Sequence, residues 1–385
     1  MKRPRLLHRL KRAAQAALLA ASSLVLVLVA LELAVRLLAP QQLIRLRPDV
    51  WIPDDGLGWR HAPNLDVRVN TGERTVRLLT DGDGFRIGER TIDRPRYRIL
   101  ALGDSFLEAI QVPYEDTLGA HLEALLASEL GAPVRVVNAG VGGWDPNHYL
   151  IQARLELPRR SYDAVVVFLF AGNDVVAWRR DRIPPRPSRR AHRLRLPRSL
   201  AAGELIDAVA YPINDALETR SHLFILLKNR FKFLLMRLGL SQHYVPATLS
   251  TATRDQPAWE ITADLARDIA DEAEARGLPS LFVLLPGLYQ VDPEIGRRYA
   301  GALGIDPSTL DLDQPSELLA PLFARRGLEL IDATPALRRA LQAGERELYG
   351  RVDTHLGPAG HRRVAELVAP LLAARLGGGG DRMDR

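Results

Sequence analysis

Five apolar runs of strand length, at 99–102, 134–138, 164–170, 281–285 and 328–331, most narrow the folds open to this chain. Three of them, 99–102, 164–170 and 281–285, run without a polar residue, which marks strands buried on both faces. Helix-like segments lie between or after them, at 118–130, 149–157, 261–276, 316–326 and 358–376. Strand and helix taking turns in this way predict an α/β domain whose parallel sheet is covered on both faces. No tandem repeat of fixed period competes with that organisation.

In an open α/β sheet, ligands gather at the carboxyl ends of the strands. Four such ends carry polar residues able to do chemistry: Gly103-Asp104-Ser105, Asn138-Ala-Gly140-Val-Gly142-Gly143, Gly172-Asn173-Asp174 and Asp353-Thr354-His355. Ser105 stands where a strand hands over to a helix, among N–H groups that can hold a developing negative charge. Taken alone it reads more readily as a helix cap, and the downstream clusters shift that balance. The glycine cluster lacks the third glycine of a dinucleotide fingerprint and suits a backbone that comes close to a reacting atom. Asn173 follows a very apolar strand and reads as an amide at a buried mouth, a candidate oxyanion donor, with Asp174 as a helix cap.

Asp353 and His355 are two residues apart, which puts both side chains on one side of an extended segment. An imidazole held near an acid can act as general base to Ser105. His361 reads as structural, and His8, His61, His121, His148, His192, His222 and His243 have no comparable neighbours. No spacing suggests a metal site.

The chain contains no cysteine, which excludes a disulfide framework. Its formal charge of +6 resides in Lys2, Arg3, Arg5, Arg9, Lys11 and Arg12, with no acid among residues 1–12. The remainder is therefore neutral, which argues against a general nucleic-acid footprint. Behind the basic arm, nineteen residues, 13–31, pass without a charge, and the apolar stretch continues past Glu32 and Arg36. Roughly 20 apolar residues cross a bilayer, so this reads as a transmembrane anchor with its basic flank in the cytoplasm. The remainder is then expected outside the inner membrane. Cleavage as a signal peptide is the competing reading, but the stretch is long for that role and no clear cleavage site follows.

Between 40 and 95, turn sequences such as Pro53-Asp-Asp-Gly56 and Asp81-Gly-Asp83-Gly84 separate alternating pieces at 67–69 and 75–79. They predict a few strands packed beside the main domain. Asp81-Gly-Asp83-Gly84 lacks the further ligands of a calcium loop and reads as a turn. The strand and helix alternation is interrupted again from about Val176 to Trp259. Here Arg179 to Arg198 holds nine arginines against Asp181 alone, which resists regular structure. The stretch 221–240 is amphipathic, with Leu223, Leu227, Phe231, Leu234, Leu235 and Leu238 on one face and Lys228, Lys232 and Arg237 off it. It suits either a membrane surface or packing on its own domain. The expected layout is a basic arm and anchor over 1–38, a stem over 39–95, a catalytic domain over 96–176 and 258–376, an insertion over 177–257 that is mostly helical, and a tail over 377–385.

The four blocks in this order resemble the SGNH, or GDSL, hydrolase superfamily from Tyr97 to about Leu376, the insertion apart. The resemblance implies a three-layer α/β/α sandwich with a flavodoxin-like five-stranded parallel sheet and no cofactor. It implies Ser105 as nucleophile, His355 as base and Asp353 as its orienting acid. The backbone N–H groups of Ser105 and Gly143 and the side chain of Asn173 would form the oxyanion hole.

Phe106, Ala109 and Ala171 depart from the usual leucine and glycines, and the acid precedes the histidine by two residues where three is more usual. Gly84-Phe-Arg86, the insertion and the Asp-x-His ending look similar to membrane-anchored bacterial members, some of which move acetyl groups on extracellular polysaccharides. The expectation is a membrane-anchored serine esterase facing the periplasm or cell exterior, acting on an O-acyl ester such as acetate on an envelope glycan. The alternatives are an O-acetyltransferase and a non-catalytic domain that binds an anionic polymer through its arginine run.

Overall fold

Helices and strands alternate as the apolar runs require. The structure, a computed structural model, describes residues 3–41, 43, 49–71, 73–90, 92, 94–185, 209–218, 220–238, 246–351 and 354–377. In chain order the elements are α1 (Arg3–Leu38), β1 (Trp51–Asp54), β2 (Gly58–His61), β3 (Asp66–Asn70), β4 (Thr75–Thr80), β5 (Arg86–Ile87), β6 (Tyr97–Gly103) and α2 (Ser105–Glu108). Next come α3 (Leu118–Leu130), β7 (Val134–Gly140), α4 (Pro146–Glu156), β8 (Ala164–Phe170), α5 (Tyr211–Glu218), α6 (His222–Arg237) and α7 (Ala258–Glu274). The last are β9 (Ser280–Leu285), α8 (Leu288–Val291), α9 (Pro293–Leu303), α10 (Gln314–Arg325), β10 (Leu330–Asp332), α11 (Thr334–Gln342) and α12 (Pro358–Gly377).

Two units make up the chain, 1–45 with 191–234, and 46–190 with 235–385. The larger holds a sheet in the order β10-β9-β8-β6-β7-β5-β4-β3. Strands β10, β9, β8, β6 and β7 are parallel, and their spatial order is that of a flavodoxin-like sheet. Ile99, Leu100, Ala101 and Leu102 are all fully buried, because helices cover both faces. Helices α3 and α12 pack together, as do α4, α7 and α10.

The stem does more than pack beside this sheet. Arg86 of β5 pairs antiparallel with Asn138 of β7, and β4 and β3 follow, so the stem strands extend the parallel sheet on its β7 side. The stem meets the β7 edge only at this pair; elsewhere Val136 N donates to the Glu123 carboxylate and Gly140 N to Asn138 Oδ1, each at 2.9 Å. Strands β1 and β2 form a separate antiparallel pair. Asp81-Gly-Asp83-Gly84 is a turn, in which the Asp81 carboxylate accepts from Asp83 N and Phe85 N, each at 3.0 Å.

The smaller unit contains α1, α5 and most of α6. Residues Lys11–Leu38 of α1 are long and apolar enough to cross a membrane and are unburied along that length. Of the arginine run, residues from Arg186 onward lie outside the described residues.

Candidate active site

Strand β6 ends at Gly103, and the next residue, Asp104, turns the chain into α2 by accepting from Phe106 N at 2.9 Å. This sets the Ser105 hydroxyl at the carboxyl edge of the sheet, between neighbouring strands β7 and β8. Its Oγ lies 2.7 Å from Nε2 of His355, 250 residues further along the chain. Asp104 Oδ2 lies 3.4 Å from Ser105 Oγ and accepts from Asn173 Nδ2 at 3.2 Å. Ser105, His355 and Asn173 thus meet around one point. Asp353 lies outside the described residues.

The His355 loop is pinned on both sides. Gly350 N donates to His355 O at 3.0 Å, Gly357 N to Leu348 O at 2.9 Å, and Tyr349 Oη to Pro286 O at 2.7 Å. Phe106 forms the wall beneath the imidazole: its ring centroid is 4.0 Å from that of Phe170, in a stack, and 4.8 Å from that of His355. An aromatic ring in place of the expected leucine therefore fixes the tilt of the histidine.

The glycine cluster follows β7. A Cβ at Gly140 would stand 2.5 Å from Glu108 N, so only glycine lets the two backbones approach. Gly143 has φ +79, is exposed, and sits between anchored neighbours. Gly142 O accepts from Trp59 Nε1 at 3.0 Å, and Trp144 Nε1 donates to Trp59 O at 3.0 Å.

A family model described as GDSL-like lipase/acylhydrolase matches residues 101–363, more than half of the chain. The chain belongs to the GDSL-like lipase/acylhydrolase family. Solved structures similar to this GDSL-like chain include a lipolytic G-D-S-L family member from Veillonella parvula, at 13% identity over 71% of this chain and 97% of that one, with a TM-score of 0.35. A lipase/acylhydrolase from Enterococcus faecalis is 14% identical over 72% and 96%, with a TM-score of 0.33. The acetyl xylan esterase AlAXEase is 12% identical over 71% and 99%, with a TM-score of 0.38. No significant match was found among curated proteins.

Two expectations for the GDSL-like site need correction. Asn173 is exposed, not at a buried mouth, because β8 ends in a tight turn that lifts this residue to the surface. Asp174 caps no helix, since none follows among the adjacent residues. Its buried Oδ2 instead accepts from Phe170 N at 2.7 Å and Tyr149 Oη at 2.9 Å.

A third set of residues escaped the sequence reading altogether. Glu108, at the far end of α2, is buried and accepts from Trp51 Nε1 at 2.8 Å, His61 Nε2 at 2.6 Å and the backbone N–H of Gly142. Burial would raise its carboxyl, but these donors, His61 foremost, hold it below the usual carboxylate range. Arg86 is buried beside it and donates to Glu108 O at 2.6 Å and Val112 O at 2.7 Å. His61 thus has a partner that its sequence neighbours could not reveal, 47 positions away. The one available signal was Gly84-Phe-Arg86, conspicuous in the sequence but without an assigned job. His361 is a buried helix residue, and desolvation with the nearby Arg86 charge pushes its imidazole down to about 3, which keeps it neutral.

Beyond the His355 loop lies a cleft of about 960 Å³, whose lining includes Gln111, Leu288, Tyr349, Arg351 and Leu356. Ser105 and His355 are not part of that lining.

Proposed function

We propose that this GDSL-like chain is a membrane-anchored serine esterase that cleaves O-acyl esters, with O-acetyl groups on an envelope glycan as the leading substrate class. The observation that carries the reading is the 2.7 Å contact between Ser105 Oγ and His355 Nε2 at the carboxyl edge of the parallel sheet. In the proposed reaction His355 takes the hydroxyl proton while Oγ bonds to the acyl carbon. The carbonyl oxygen becomes negative and is received by the N–H groups of Ser105 and Gly143 and by the Asn173 amide. His355 returns the proton to the departing alcohol, and water attacks the acyl-serine to release the acid and restore the hydroxyl. Asp353 is assigned to orient the imidazole, on the strength of the Asp-x-His pattern.

Anchoring is supported by the length and apolarity of α1, and the basic arm before it favours a cytoplasmic N-terminus with the GDSL-like unit outside. A fluorophosphonate probe is expected to label Ser105 and to lose all labelling in Ser105→Ala. Equal labelling of the variant would remove the assignment. With a glycan acceptor present, release of free acid supports hydrolysis, whereas acyl transfer to the glycan would make the same site a transferase.

A further inference from the structure

Glu32 and Arg36 are out of place in an apolar helix, and the smaller unit explains both. The Glu32 carboxylate accepts from Ser221 Oγ at 2.7 Å, His222 N at 2.9 Å and Leu223 N at 2.9 Å. It therefore closes the N-terminus of α6 with a side chain from another helix, where orphan N–H groups and the helix dipole favour a negative charge. Arg36 donates to Glu32 at 2.7 Å and to Arg220 O at 2.6 Å, and Gln41 N donates to His222 Nδ1 at 2.7 Å. The start of α6 is fastened where the apolar segment of α1 ends. Lys228 Nζ in turn holds α5, donating to Asn214 Oδ1 at 2.9 Å and pairing with Glu218.

From that fastening α6 carries an uncovered apolar stripe. Leu227, Phe231 and Leu234 are 58%, 62% and 51% exposed, and their spacing puts them on one side of the helix. By helical spacing Lys228 and Arg230 flank the stripe on either side, and Asn229 falls opposite it. A narrow apolar face edged by cations and joined to the end of a bilayer-length helix fits one occupant, a lipid surface.

We infer that α6 lies along the surface of the membrane that α1 crosses, with Leu227, Phe231 and Leu234 in the acyl-chain boundary and Arg230 at the lipid phosphates. The inference rests on the reading of α1 as a membrane anchor. It makes the Glu32 contacts the joint of a two-part anchor, one helix across the bilayer and one upon it.

The chain has no cysteine, so Leu227→Cys, Asn229→Cys, Phe231→Cys and Leu234→Cys, each alone in the full-length protein, can carry an environment-sensitive dye without background labelling. The protein is reconstituted in vesicles of phosphatidylethanolamine and phosphatidylglycerol doped with lipid bearing a nitroxide high on the acyl chain. Emission at 227, 231 and 234 is expected to be quenched and blue-shifted, with neither effect at 229. Glu32→Ala is expected to weaken quenching at 227 while the protein still sediments with vesicles after alkaline carbonate. Protein that sediments yet shows no quenching at any position overturns the inference and leaves the α1 anchor standing. Crosslinking between copies through the stripe, without quenching, overturns it in favour of a self-association face. Release by carbonate overturns the anchor reading itself.

Discussion

The two ends of α2 make opposite use of a buried carboxylate. Asp104 opens the helix and Glu108 closes it, four residues apart, and each is 1% exposed. Burial raises the Asp104 carboxyl, and its bonds to Phe106 N and Asn173 only partly counter this. Glu108 is equally desolvated, but donors from the stem and the glycine loop hold it below its usual range. The difference shows that the neighbours, not depth, decide in which direction a buried acid shifts. One end is a rim that keeps polar groups loosely partnered beside Ser105. The other is a root that joins stem, helix and glycine loop into one body.

The sharpest way to break this comparison is at the root. Glu108→Ala leaves His61, Trp51 and Gly142 N without their acceptor and is expected to cost about 3–5 kcal/mol, the scale of breaking a buried ion pair by removing one partner. Urea unfolding of the full-length protein in detergent measures it, and a loss below about 1 kcal/mol would mean that the root is not a structural joint. At the rim, Asn173→Ala is expected to leave stability nearly unchanged, because Asn173 is exposed. It should lower kcat on an aryl ester by about 10²–10³, the usual effect of losing one oxyanion donor. An unchanged kcat would take Asn173 out of the oxyanion hole.

These outcomes differ in how far each residue could be read from the chain alone. The parallel strands, α3 and α12 were legible because buried runs and their flanking turns are local signals. That Ser105 and Asn173 stand at strand ends was legible because each follows such a strand, but the exposure of Asn173 was not. His61 was not, since its partner is 47 residues away and reaches it only once β2 and α2 are folded. The joining of the stem to the sheet was illegible for the same reason: β5 is two residues long and pairs with β7 through Arg86 and Asn138. The role of Phe106 was visible only as a departure from a pattern, and its stack with Phe170 gives the departure a purpose.

The two carboxylates should also part company in their pH dependence. Glu108, lowered in the folded state, contributes stability that is present above its ordinary pKa and lost as pH falls through its folded value. Asp104, raised in the folded state, contributes stability at pH below its ordinary pKa, and this is lost as pH rises toward its folded value. Glu108→Gln is therefore expected to flatten the acid limb of the stability curve, and Asp104→Asn to flatten the decline on its neutral side. A tenfold difference in proton affinity between the folded and unfolded chain amounts to about 1.4 kcal/mol. Unfolding midpoints from pH 3 to pH 8, at ~0.5-unit steps, resolve the two limbs, whose slopes have opposite signs. Parallel changes in both variants would show that the ends of α2 titrate as one group.

The smallest effect is expected just past the root, at Ala109. This residue closes α2 in the left-handed region, with φ 55 and ψ 35, and its methyl group is buried. Left-handed backbone costs a non-glycine residue about 1–2 kcal/mol, which Ala109→Gly relieves. Against this stand the lost burial of one methyl, about 0.8 kcal/mol, and the extra chain entropy of glycine, about 0.4–1 kcal/mol. The terms nearly cancel, so Ala109→Gly is expected to shift stability by less than about 1 kcal/mol and leave kcat unchanged. A fall in kcat without a fall in stability would mean that the strained turn transmits the position of the root to Ser105, and the two ends of α2 would then be mechanically coupled rather than merely adjacent.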